Sequence, residues 1–318
     1  MPLPPSLTGM IIALTLIIGV LLSYPSYPTQ TKGIVLVTGV SPGSIGWDAA
    51  EYLCQHGFHV LASSRTNKGY LACEPGTYQQ IFGDVRDENF LTYLVEDVER
   101  WTIVSTLPFV GVVPAHGVHS GLSPVERVDS EMVRQEMDIN YISITRLIQL
   151  LLPIIRADRS RIVFIGSLQG VKTYMGNTFY SSSKFALHAF ADGLSQEMVH
   201  QGVSVSTIIA SGIRTPMLGG IMAKGLYPDD DTYTPSRFTW MTSQMQQQVE
   251  ALFPWPRDST TPAIVHGLTN MYPSERYFVG GVYNSCPIEG RLVGWIPAWV
   301  FNPFYFHTLS LIQQMSTR

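Results

Sequence analysis

Gly33-Ile34-Val35-Leu36-Val37-Thr38 is a short, apolar, β-branched run. Such a run predicts a strand buried on both faces. It opens into Gly39-Val40-Ser41-Pro42-Gly43-Ser44-Ile45-Gly46, and Trp47 to Cys54 then has helical character. Strand, glycine turn, helix is a restrictive order. The glycines let the chain reverse tightly and let backbone N–H groups approach a pyrophosphate at the helix N-terminus. The spacing is Gly-x-x-x-Gly-x-x-Gly, so an ordinary strand-to-helix turn stands beside the nucleotide reading.

The next segments repeat the pattern. Phe58-His59-Val60-Leu61-Ala62 predicts a second strand and runs into Ser63-Ser64-Arg65-Thr66. An NAD-selective site places an acid about 20 residues beyond the glycine turn, on the ribose 2′-hydroxyl. Arg65 stands there instead, and a guanidinium suits a 2′-phosphate. NADP(H) is therefore the expected cofactor, with NAD(H) possible. Gly83-Asp84-Val85 follows the apolar pair Ile81-Phe82 and reads as a third strand end. Asp84 there either meets an adenine edge or caps the next helix. Helical patterns over 132–155 and 179–200 and a strand over 203–209 complete the alternation. The predicted fold is α/β, a single-domain Rossmann-type doubly wound parallel sheet with right-handed crossovers.

Tyr180 and Lys184 lie four residues apart, thirteen positions after Ser167. On a helix, i and i+4 share one face. A phenol titrates near pH 10, and a fixed cation nearby favours the phenolate. The expectation is a tyrosine held acidic by its lysine. By itself such a pair is more often surface decoration.

Together these residues resemble a family, the short-chain dehydrogenase/reductases, from about Gly33 to the C-terminal region. Thr38-Gly39 through Gly46 is similar to that family's cofactor turn, with one extra residue before the last glycine. Asn140 is similar to the asparagine of its central helix, Ser167 to its serine, and Tyr180 with Lys184 to its Tyr-x-x-x-Lys pair. Ser211-Gly212-Ile213-Arg214-Thr215 falls where the family has Pro-Gly-x-x-Thr. The resemblance implies catalytic roles for Ser167, Tyr180, Lys184 and Asn140. It also implies cofactor contacts from Thr38, Gly39, Ser41, Gly43, Ile45, Gly46, Arg65, Asp84, Val85, Gly117, Tyr180, Lys184, Ile213 and Thr215. A homodimer or homotetramer through the helices of Asn140 and Tyr180 is implied as well. Two departures stand out. The family's Asn-Asn-Ala-Gly reads Pro114-Ala115-His116-Gly117, and Ser211 replaces a proline. His116 and His119 lack companion ligands for a metal and read as loop residues, so no metal is expected.

The hydrophobic fraction is 45% and the charged fraction 14%, a balance that fits membrane association. A net charge of −4 gives no nucleic-acid footprint. Residues 7–22 carry no charge and as a helix nearly span a bilayer, which needs about 20 apolar residues. No basic residue precedes them, which favours an anchor over a cleaved signal. The expected organisation is an anchor and linker over 1–31, an enzyme domain over 32–290 with a substrate cover near 217–260, and a hydrophobic tail over 291–318. Lys32 after the anchor points the enzyme to the cytosol. The expected location is the endoplasmic reticulum membrane, ahead of a secreted or luminal one. Cys54, Cys73 and Cys286 show no metal spacing and read as reduced thiols or core residues.

The methionine- and aromatic-rich stretch beyond Met217 suits an adaptable apolar pocket. The ending, from Leu268 to Trp299, resembles the retinol dehydrogenase and hydroxysteroid dehydrogenase branch. That resemblance implies interconversion of an alcohol and a ketone or aldehyde on a lipophilic substrate such as a steroid, retinoid or lipid. Trp295 to Phe306 would rest on the membrane interface, cover the pocket or pack between subunits. The rival readings are a membrane-tethered nucleotide-binding scaffold without turnover and a secreted binding protein.

Overall fold

The computed structural model describes residues 26–67, 69–174, 176–223 and 255–280. The expected anchor helix, most of the expected substrate cover, Cys286 and the tail over 291–318 lie outside the described residues.

Seven strands form one sheet. They are β1 (Gly33–Thr38), β2 (Phe58–Ser64), β3 (Tyr78–Phe82), β4 (Phe109–Pro114), β5 (Arg161–Ile165), β6 (Ser204–Ser211) and β7 (Arg276–Gly280). Their order is β3-β2-β1-β4-β5-β6-β7 and every neighbouring pair is parallel. This is the predicted doubly wound Rossmann-type sheet.

Helices cover both faces. They are α1 (Ile45–Gln55), α2 (Glu88–Ser105), α3 (Ser130–Met137), α4 (Ser143–Asp158), α5 (Thr178–Met198), α6 (Pro216–Ala223) and α7 (Thr261–Thr269). The strand period of two sorts β1 between the layers. Ile34 and Leu36 join Leu94 of α2, Leu147 of α4 and Leu187 of α5. Val35 and Val37 join Ala49 and Leu53 of α1 and Leu268 of α7. Each of the Val, Ile and Leu side chains among these, fully buried, contributes about 1.5–3 kcal/mol. Asp87 caps α2, its side chain accepting from the Asn89 amide. Asp84 therefore does not cap the helix that follows it.

Two connections depart from expectation. The single helix expected over 132–155 is α3 and α4 joined by one π-helical turn, Asp138–Ile142. Such widened turns recur at functional sites, and this one carries Asn140. The 29-residue run from Ser130 to Asp158 is long and apolar enough to cross a membrane, but half of its apolar window is buried in the core. Between β2 and β3 the described residues form no helix. There Cys73 is joined by a disulfide to Cys54 in the last turn of α1, with their Cα atoms 5.9 Å apart. The reading of Cys54 and Cys73 as free thiols is thus corrected. Three cysteines without a recognisable spacing do not reveal which two the fold brings together.

The linker before β1 is pinned to the body. Tyr27 N donates to Met271 O at 2.9 Å and Gln30 N to Thr269 O at 3.1 Å. Arg161, the first residue of β5, is fully buried. Its guanidinium lies 4.5 Å from the Tyr27 ring centroid and donates to Pro28 O at 2.8 Å and Asn270 O at 3.3 Å. A charge at that depth is tolerated only with such partners.

Candidate active site

The glycine turn leaves β1 at the carboxyl edge of the sheet, where ligands of open α/β sheets bind. Gly39 and Gly43 have φ of 74° and 81°, values that disfavour any residue with a Cβ. A Cβ on Gly39 would also stand 2.5 Å from His116 N, and one on Gly46 would stand 2.9 Å from Gly39 O. Ser44 locks the turn. Its hydroxyl donates to Gly39 O at 2.9 Å and accepts from Trp47 N at 3.1 Å, capping α1. This cradle of glycines at a helix N-terminus fits a dinucleotide pyrophosphate. Thr38 is buried beneath it, and Ser41 is exposed at its rim.

Arg65 is exposed at the end of β2. Asp84, after β3, is held by Arg86 through bonds of 3.0 and 2.6 Å. Those bonds bring its carboxyl down to about 2. Val85 packs against the core beside it.

His116 is not a simple loop residue. It is buried, with Nδ1 2.5 Å from Thr38 Oγ1 and Nε2 3.0 Å from Ser143 Oγ. Ser143 gives its own proton to Ile139 O at 2.9 Å, so Nε2 carries the imidazole proton and Nδ1 accepts from Thr38. Burial, and then the charge of Lys184, pushes its pKa down to about 3. A neutral imidazole thus ties β1 to α4 in the segment where the family motif is altered.

Asn140 is fully buried in the π turn. Its Oδ1 accepts from Val118 N at 2.8 Å, and its Nδ2 donates to Val118 O at 2.9 Å and to Ser183 Oγ at 3.0 Å. A Cβ on Gly117 would stand 3.3 Å from that Oδ1 and 3.8 Å from Lys184 Nζ.

Tyr180 and Lys184 lie one turn apart on α5, and both are buried. The structure brings Ser167 to them, hydrogen-bonded to the Tyr180 hydroxyl. Lys184 Nζ donates to Ile165 O at 3.0 Å and sits 5.9 Å from the Tyr180 ring centroid. The expected acidification is not present in this arrangement. Burial pushes the Tyr180 phenol up to about 12, against the lowering hydrogen bond from Ser167 and with a smaller raising effect of Glu136. Burial also pushes Lys184 down to about 8. At Tyr180 desolvation outweighs the Ser167 hydrogen bond, and at Lys184 it acts alone.

His188 escaped the sequence reading of this site, and His119 was read there only as a loop residue. His188 follows Lys184 by one further turn and is buried. Its Nε2 accepts from Ser167 N at 3.3 Å. The ring occupies space vacated by Gly166 and Gly170, where any Cβ would collide with it. The Lys184 to His188 spacing, with a glycine on each side of the Ser167 turn, was the available signal. His119 stacks on Tyr180 with ring centroids 4.4 Å apart. Its Nδ1 accepts from Gly121 N at 3.0 Å, so Nε2 donates to Asn177 Oδ1 at 2.6 Å.

Beyond β6, Gly212 has φ of 67°, and Ile213 forms a parallel bridge with Trp255. Thr215 O accepts from Leu218 N at 3.0 Å as α6 begins. The loop expected to hold a nicotinamide is therefore fixed at both ends.

A parallel doubly wound sheet, a glycine cradle at its carboxyl edge and, beside it, buried Tyr180, Lys184 and Asn140 with a half-buried Ser167 define a nicotinamide-dependent oxidoreductase. The sequence matches the short chain dehydrogenase family over residues 33–224. The chain belongs to that family. It is 28% identical over 211 residues to the NADPH-dependent 1-acyldihydroxyacetone phosphate reductase of Schizosaccharomyces pombe, covering 65% of this chain and 70% of that protein. It is 24% identical to retinol dehydrogenase 16 of Rattus norvegicus, covering 77% of this chain and 80% of that protein. It is 25% identical to 17-beta-hydroxysteroid dehydrogenase type 6 of Bos taurus, covering 89% and 87%.

Proposed function

We propose that the protein is an NADP(H)-dependent reductase of carbonyl groups on lipophilic molecules, running in reverse as a dehydrogenase of the corresponding alcohols. The observation that carries this reading is the hydroxyl of Tyr180, bonded to Ser167 and set one helical turn from Lys184 beside the glycine cradle.

A nicotinamide held in this site would supply the hydride chemistry for reducing a carbonyl. Tyr180 gives its phenolic proton to the carbonyl oxygen. A phenol with pKa near 12 is fully protonated at neutral pH, which suits a proton donor and hence reduction. Ser167 donates to the same oxygen as charge develops on it. Lys184 would hold the nicotinamide ribose and, as a cation, steadies the phenolate left behind. Asn140 continues the route for proton return from solvent, as the family resemblance implies. Thr38, Gly39, Ser41, Gly43, Ile45 and Gly46 would hold the pyrophosphate. Arg65 would meet the 2′-phosphate, Asp84 and Val85 the adenine, and Gly117, Ile213 and Thr215 the nicotinamide end.

NADP(H) preference is supported by Arg65 at the end of β2 and by the NADPH-dependent relative. A lipophilic substrate is supported by the relatives named for retinol and a hydroxysteroid. Association with the endoplasmic reticulum membrane through residues 7–22 and assembly into a dimer or tetramer belong to the same proposal. The Cys54–Cys73 disulfide favours an oxidising compartment and weighs against the cytosolic orientation drawn from Lys32. The test uses the full chain in detergent, with NADPH or NADH and a panel of retinoid, steroid and fatty carbonyls. NADPH oxidation with at least one lipid carbonyl is expected. Binding of NADPH without turnover on any of them would leave the scaffold reading standing.

A further inference from the structure

The glycine turn is overlooked by a cation from a distant part of the chain. Arg257 opens a 3₁₀ turn (Arg257–Thr260), and its Nε donates to Asp48 Oδ1 at 2.7 Å. Its Nη1 lies 3.7 Å from where a Cβ on Gly43 would stand, beside the Pro216 ring at 3.2 Å from that point. The guanidinium is half exposed and the Asp48 carboxylate is nearly buried, at 49% and 10%. Backbone bonds hold the segment in place. Arg214 N donates to Trp255 O at 2.9 Å and Trp255 N to Gly212 O at 3.4 Å.

Asp48 explains why a cation is needed. It sits in the first turn of α1, where an acid favours the helix but repels an anion arriving at the same end. The ion pair cancels that charge. Because the bond to Asp48 uses Nε, the guanidinium fork keeps its terminal nitrogens for a second, anionic partner.

We propose that Arg257 is a cofactor-binding residue that contacts the dinucleotide pyrophosphate beside the glycine turn at Gly43. This rests on the cofactor reading above. It also ties the loop at Ile213, bridged to Trp255, and the glycine turn to one bound ligand.

The experiment is a fluorescence titration of the full chain and of Arg257→Gln with NADPH, NADH and adenosine 2′-monophosphate. The pyrophosphate is common to both dinucleotides and absent from the mononucleotide. Arg257→Gln is expected to weaken NADPH and NADH alike by about tenfold, with adenosine 2′-monophosphate held within about twofold. Unchanged dinucleotide affinity would overturn the proposal. If the wild-type chain binds neither dinucleotide, the cofactor reading itself is lost. A second measurement needs no variant. Phenylglyoxal modification mapped by mass spectrometry should label Arg257 in the free protein and spare it under saturating NADPH. Equal labelling in both states would refute the contact even if Arg257→Gln does not fold.

Discussion

The backbone amide of Ser167 donates to the imidazole of His188, whose Nε2 lies 3.3 Å away. The hydroxyl that faces Tyr180 is thus aimed by a ring one turn beyond Lys184 on the same helix. Burial, with Lys184 as the next cause, pushes His188 down to about 3, so it stays a neutral acceptor at working pH.

His188→Ala should therefore lower kcat by about tenfold to a hundredfold while leaving NADPH affinity within about twofold, since the loss is in orientation. His188→Gln, which keeps an acceptor at similar reach, should recover part of it. Steady-state kinetics with the best carbonyl of the panel decides the matter. An equal loss in both variants would reduce His188 to packing.

Tyr180→Phe removes the transferable proton and nothing else of size. We expect kcat to fall by about a thousandfold or more, within the range of proton-transfer catalysis, with NADPH titrating as in the wild type. Substantial turnover in this variant would remove the phenol from the mechanism.

Lys184 titrates near 8 in the folded protein against an ordinary 10.5. Between these values the unfolded chain holds a proton that the native chain has released, so this group adds stability as pH rises from about 8 to 10.5. Below 8 its buried charge is a constant cost. Lys184→Met should thus melt higher than the wild type at pH 7, with the gap narrowing by pH 10, and should be inactive. A lower melting temperature at pH 7 would show that the ammonium is better paired than its bond to Ile165 O suggests.

Arg65→Ala should raise the Kd of NADPH by about tenfold and leave that of NADH nearly unchanged, because only the former carries the 2′-phosphate. Parallel losses for both cofactors would place the phosphate elsewhere.

The Cys54–Cys73 disulfide closes a loop of 19 residues in sequence. Cross-links of that size contribute roughly 2–4 kcal/mol. A dithiol reductant, or Cys73→Ser, should lower the melting temperature by several degrees. Indifference to the reductant would mean that the bond is not formed in the protein as made.

The sheet was legible because a strand buried on both faces writes itself as a continuous apolar run, as 33–38 and 161–165 do. The glycine cradle and the Tyr180–Lys184 pair were legible because chemistry fixes their spacing. His188, His119 and Arg257 were not. Each acts through a group far from it in sequence, and a histidine or arginine within a helix or loop carries no periodic mark. The direction of the Tyr180 shift was misjudged for a related reason. Spacing tells which charges are near, but the depth of burial that overrides them is known only once the layers close. Asp84 was ambiguous until Asp87 was seen to cap α2.

The pinned linker sets the boundary for any shortened form of the enzyme. Tyr27 and Pro28 shield the Arg161 guanidinium at the foot of β5, the end of the sheet remote from catalysis. A cut at residue 30 would strand a cation in the hydrophobic interior, whereas a cut at residue 26 would keep its cover. The first four residues after that cut, 27–30, are packed against the sheet, and a shortened chain should begin with them.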